Sequence, residues 1–81
     1  MFDRHGNTIA ANNYVQFTQK SIIYYGKILK LKPTMGKCIV RVLCSEKEGV
    51  FPPRFPVVIF SIQILKILSD DEAYLIDLVK D

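Results

Sequence analysis

IIYYGKILKLKPTMGKCIVRVLC (residues 22–44) is the stretch whose reading decides the fold. Its β-branched and aromatic residues favour extended backbone. Pro33-Thr34-Met35-Gly36 in the middle carries turn chemistry, with proline fixing φ and glycine free to take a positive one. The stretch therefore reads as a β-hairpin. Gly26, inside the first run, marks a bulge or sharp bend of the kind that curls a small sheet. Pairing Lys32 with Lys37 across the turn sets Leu31 against Cys38, Leu29 against Val40 and Lys27 against Val42 on one face. The other face then collects Lys30, Lys32, Lys37 and Arg41 with Ile28 and Ile39. One face is nearly all apolar and the other strongly basic, and a one-residue slip is expected to mix the two sets.

Upstream, FDRHGNTI reads as a short extended piece broken by a turn at His5-Gly6-Asn7, and the Asn12-Asn13 pair fits a second turn. YVQFT alternates as a strand, with Val15 and Phe17 on one face, and Gln19-Lys20-Ser21 interrupts it. Downstream, SEKEGVFPPR is a polar loop, the longest of the chain. FPVVIFS and IQILKIL follow as one long strand or as two joined by a kink near Ser61, and so continuous an apolar run is expected of strands buried on both sides. Ser69-Asp70-Asp71-Glu72 has the spacing of a capping box with acids at the positive end of a helix. Leu75, Leu78 and Val79 then share a helical face. The rival reading makes SDDE a turn and AYLIDLV a last strand.

At 81 residues the chain makes one domain, too small for both a dry core and a large lidded pocket. The longest apolar run holds Ser61, Gln63 and Lys66 and falls short of the roughly 20 residues that cross a bilayer. No basic-then-apolar leader opens the sequence, so a cytoplasmic protein without a membrane partner is expected. Cys38 and Cys44 stand about 20 Å apart along one extended strand. They are too far apart for a disulfide and are expected to be small core residues. With His5 the single histidine and no CxxC spacing, neither a metal nor any other cofactor is expected. Through Cys44 the cations Arg4, Lys20, Lys27, Lys30, Lys32, Lys37 and Arg41 face Asp3 alone. From Ser69 on, Asp70, Asp71, Glu72, Asp77 and Asp81 face Lys80 alone. A basic half and an acidic tail point towards an anionic partner.

The short strands and the glycine kink resemble SH3-like barrels of the KOW and Tudor kind. DRHGNTIAANNYVQF resembles the entry of such modules, with Asn12-Asn13 where Gly-Asp stands in them. YYGKILKLK resembles their second strand and GKCIVRVL their third. The resemblance covers residues 3–44, with VVIF and IQILKI as loose counterparts of the closing strands. It implies a mainly β, SH3-like barrel of about five antiparallel strands over residues 3–68 within a single domain, 1–81. The acidic tail is not part of such modules, and its capping box adds a short C-terminal helix over 69–80. KOW-type modules commonly contact RNA or the transcription machinery, and Tudor-type modules bind methylated side chains or proteins.

On this fold the basic hairpin is the leading candidate site. Lys30, Lys32, Lys37 and Arg41, with Lys27 and Lys20 as additions, can neutralise successive phosphates of RNA or DNA, and Tyr24 or Tyr25 can stack on a base. The plain alternative is a solvated face whose lysines guard a sheet edge. A methyl-cation cage from Tyr14, Phe17, Tyr24 or Tyr25 lacks a nearby acid, and these rings are expected in the core. An enzyme is not expected: His5 lies in a terminus expected to be mobile, no acid lies within the hairpin, and Asp70, Asp71 and Glu72 are explained by helix capping. The competing class is an assembly or accessory subunit that meets a protein partner, or a second copy, through Tyr74, Leu75 and Leu78 of the tail. Phe51 and Phe55, on the proline-stiffened loop, are expected to cap an open end of the barrel.

Overall fold

A computed structural model describes residues 1–47 and 49–80, with side chains through residue 76. Five antiparallel strands form one sheet: β1 (Tyr14–Gln19), β2 (Ile22–Lys32), β3 (Lys37–Ser45), β4 (Val57–Phe60) and β5 (Ile64–Ile67). One helix, α1 (Asp70–Lys80), follows. The order across the sheet is β4-β3-β2-β1-β5, so β4 and β5 are its two edges. Yet only the 3-10 turn Ser61–Gln63 joins them. Four α-carbon steps reach at most about 14 Å, less than the roughly 19 Å across a flat five-stranded sheet. The sheet must therefore coil until its edges approach each other.

The coil passes through Gly26. A Cβ there would stand 2.6 Å from Val40 Cγ1 and 2.7 Å from the Arg41 carbonyl oxygen, so only glycine fits the close approach of β2 to β3. The β2–β3 register shifts at this point, between Tyr25 and Gly26, as expected of a bulge. A second shift, between Ile28 and Lys30, corrects the expected pairing. Lys32 opposes Lys37 and Leu31 opposes Cys38 as anticipated, but Leu29 is an extra residue. Ile28 therefore opposes Val40 and Lys27 opposes Arg41. Strict alternation would have turned Ile28 outward and buried the Lys27 ammonium, at a desolvation cost far above that of one bulge. Leu29 is exposed instead.

The inner face is fully apolar. Ile28, Cys38, Val40, Val42 and Ile59 meet Val15, Phe17 and Ile64, and Ile9 closes the cluster from the N-terminal segment. Tyr24 stacks on Phe17 at 5.7 Å between centroids, inside as expected. The run through β4 and β5 is two strands joined at Ser61, but it is not buried on both sides: Val58 and Phe60 point outward and are each 51% exposed. Phe51 and Phe55 cap nothing: at 90% and 81% exposure they stand in solvent, and neither packs against the core cluster.

The N-terminus is a closed turn, where a mobile segment was expected. Phe2 pairs with Thr8, and the Asp3 carboxylate accepts the backbone N–H groups of His5 (2.8 Å) and Asn7 (2.9 Å) and the Asn7 side-chain amide (3.3 Å). Burial alone would raise the Asp3 pKa, but these donors and the His5 charge outweigh it and hold it below the usual carboxylate value. At the other end the capping box forms: the Glu72 N–H donates to Ser69 Oγ and the Ser69 N–H to Glu72 Oε1. The tail is therefore a helix and not a last strand. Among the described residues no helix is long and apolar enough to cross a membrane.

Two outcomes follow from this packing. Gly26→Ala is expected to lower stability by about 1–3 kcal/mol through overpacking, read as a fall in the urea midpoint. Asp3→Asn is expected to cost about 2 kcal/mol at neutral pH. Because the folded Asp3 pKa is depressed, its contribution is complete above the unfolded value of 3.8 and is lost as pH falls through the folded value. The stability gap between wild type and Asp3→Asn, measured by urea unfolding, should be flat above about pH 5 and close below about pH 4.

Candidate nucleic-acid interface

The register that clears the interior of charge gathers charge outside. Across β1, β2 and β3, Tyr14, Lys27 and Arg41 form one outer row. Lys30, Ile39 and Val58 form a second across β2, β3 and β4, and Lys32, Lys37 and Phe60 a third. The five cations of the hairpin therefore share the outer face. Lys27, which alternation had set among the apolar residues, joins them because of the Leu29 bulge. Lys20 does not join: it forms the β1–β2 turn, at the opposite end of β2 from Lys30 and Lys32.

Two cross-strand pairs in this face are like-charged, Lys32 opposite Lys37 and Lys27 opposite Arg41. Directly opposed like charges destabilise an antiparallel ladder. Among the described residues no acid offsets them, the recorded ion pair being Lys66 with Glu72 at 2.7 Å, away from the hairpin. What the cations do meet are rings. Lys37 Nζ lies 5.1 Å from the Phe60 centroid and Lys27 Nζ lies 5.7 Å from that of Tyr14.

Tyr25 lies on the outer face but is half-buried, its hydroxyl accepting the Gln16 side-chain amide at 3.2 Å. It is a poor stacking platform. Phe60 is the exposed ring beside the cations, and sequence reasoning missed it. VVIF is apolar throughout, so no alternation marks which residues turn out, and the long loop before β4 leaves its register on β3 unreadable from spacing.

The acidic tail starts on the same outer surface, at its far side. Lys66, in register with Gln16, faces out and binds Glu72 of α1. The helix then reaches β3 and buries Ile76, outside the interior cluster. The expected docking residue Leu75 is 60% exposed, as is Tyr74 at 64%. Ile76 takes the buried position because it faces the sheet, while the Leu78 side chain lies outside the described residues. Beside the first turns of α1 a cleft of about 300 Å³ is lined by Asn13, Tyr14, Leu68, Asp70 and Tyr74, and none of the hairpin cations lines it.

The two thiols are not activated as nucleophiles. Burial pushes the Cys38 thiol up to about 11 and raises that of the half-buried Cys44, so both stay neutral near pH 7. Both cysteines are free, as their spacing required. No group of three or more potential metal ligands occurs among the described residues. No protein-family model, curated protein or solved structure matches the chain.

Proposed function

We propose that the protein is a small non-enzymatic binding module that contacts nucleic acid through the outer face of the β2–β3 hairpin. Lys30, Lys32, Lys37 and Arg41 supply phosphate contacts, and Lys27 extends the row. One observation carries this reading: two like-charged cross-strand pairs stand directly opposed with no acid among the described residues to offset them. Folding tolerates this repulsion, and a polyanion relieves it. The resemblance to KOW-type barrels, resting on the residues quoted for it, favours the same class of partner. The free thiols suit a reducing compartment, which supports a cytoplasmic location.

A second reading makes the protein an assembly subunit that docks a protein partner through α1. Its support is the exposure of Tyr74 and Leu75 on a helix whose neighbouring Ile76 is buried.

Fluorescence anisotropy of labelled RNA and DNA, titrated at two salt concentrations, separates the two. With about four phosphates neutralised, affinity between about 50 and 200 mM salt should fall roughly 50-fold for a single strand and roughly 150-fold for duplex DNA. The triple substitution Lys30→Gln, Lys32→Gln and Lys37→Gln should remove most of that binding and flatten the salt dependence to about one phosphate's worth. Absence of binding at the lower salt would sink the nucleic-acid reading and leave the helix surface as the interaction site.

A further inference from the structure

The outer face is not uniformly basic; it changes character from strand to strand. β2 contributes Lys30 and Lys32, β3 contributes Lys37 and Arg41 around Ile39, and β4 contributes Val58 and Phe60. A cationic stripe therefore runs beside an apolar one, two strand spacings or about 10 Å away. The apolar stripe is open to solvent. Val58 and Phe60 are half exposed. Ile62, in the turn after β4, and Met35, in the β2–β3 turn whose Gly36 carbonyl accepts the Ser61 N–H at 2.9 Å, are exposed with them.

A double helix uses only half of such a surface. Its rim presents phosphates and sugars, its bases are stacked inside, and the apolar stripe would gain nothing from it. A single strand presents phosphates along one side and unstacked base faces along the other. Lys30 and Lys32 lie about 7 Å apart along β2, a separation that an extended nucleotide backbone can follow.

Resting on the nucleic-acid reading above, we infer that the interface is built for single-stranded nucleic acid, with the backbone tracking Lys30, Lys32 and Lys37 while bases stack on Phe60 and cover Val58 and Ile39. The Lys37 ammonium now over the Phe60 ring moves on its flexible stem to a phosphate, and a base takes its place. The Phe60 backbone N–H is held by Gln63 Oε1 at 2.8 Å, so the ring is presented from a fixed point at the end of β4.

The test uses three labelled probes of equal length, about 12 nucleotides each, in low salt: a mixed-sequence single strand, its duplex, and a strand of abasic phosphodiesters. The single strand should bind at least about tenfold more tightly than the duplex or the abasic strand. Phe60→Ala should weaken the single strand about tenfold while leaving duplex and abasic affinities and the salt slope unchanged. Val58→Ser, a milder change on the same stripe, should move affinity in the same direction. Equal binding of all three probes, or a Phe60→Ala protein indistinguishable from wild type, would overturn the inference while leaving phosphate binding intact. If no probe binds, the underlying reading fails, and this inference with it.

Discussion

Everything in this domain depends on β2 being able to touch β3 at Gly26. A side chain of any size there would meet the Arg41 carbonyl and Val40 Cγ1 at under 3 Å, with the Phe17 ring at 3.3 Å behind them. The 11-residue β2 pairs with β1 through its first half and with β3 along its length. It is therefore the strand that must bend if two edges of a five-stranded sheet are to meet across one 3-10 turn. The bulge at Gly26 supplies that bend. The same approach packs Val40 and Phe17 together in the interior, so coiling the sheet and closing the core are a single event.

The second bulge, at Leu29, decides chemistry rather than shape. It reverses the faces of every residue between Gly26 and Leu29, sending Ile28 in and Lys27 out. The interior gains a clean aliphatic cluster, and the exterior gains a row of like charges. A chain selected only for stability has cheap remedies for such a row, since one glutamate opposite Lys37 or Arg41 would turn repulsion into attraction. Among the described side chains, the acids with recognised partners lie apart: Asp3 is committed to its own turn, and Glu72 to Lys66 and the helix cap. This separation, not the net charge of +3, is what gives the hairpin its character.

Sequence showed most of the architecture wherever a signal was local. Gly26, the Pro33–Met35 turn ending in Gly36 and the Ser69–Glu72 box each name their own backbone geometry, and each formed as read. What escaped depended on contacts between distant segments. The adjacent aliphatics Ile28 and Leu29 broke the two-residue period and were the visible trace of the bulge, but alternation alone cannot say which of them turns in. The register of β4 on β3 follows a long loop, so the exposure of Phe60 and its place beside Lys37 could not be read. The helix was legible, while the burial of Ile76 rather than Leu75 depends on the contact of α1 with β3, a segment far away in sequence. The basic face was legible as a set of cations, and its neighbouring apolar stripe was not.

The most direct measurement is a titration of the isotopically labelled protein with a short single-stranded oligonucleotide, followed through its backbone amide chemical shifts. The account predicts that the largest changes fall on residues 30–41 and 58–60, with the Asp3 turn and the exposed surface of α1 unmoved. Shifts confined to α1 and the cleft beside it, or no shifts at all, would contradict it.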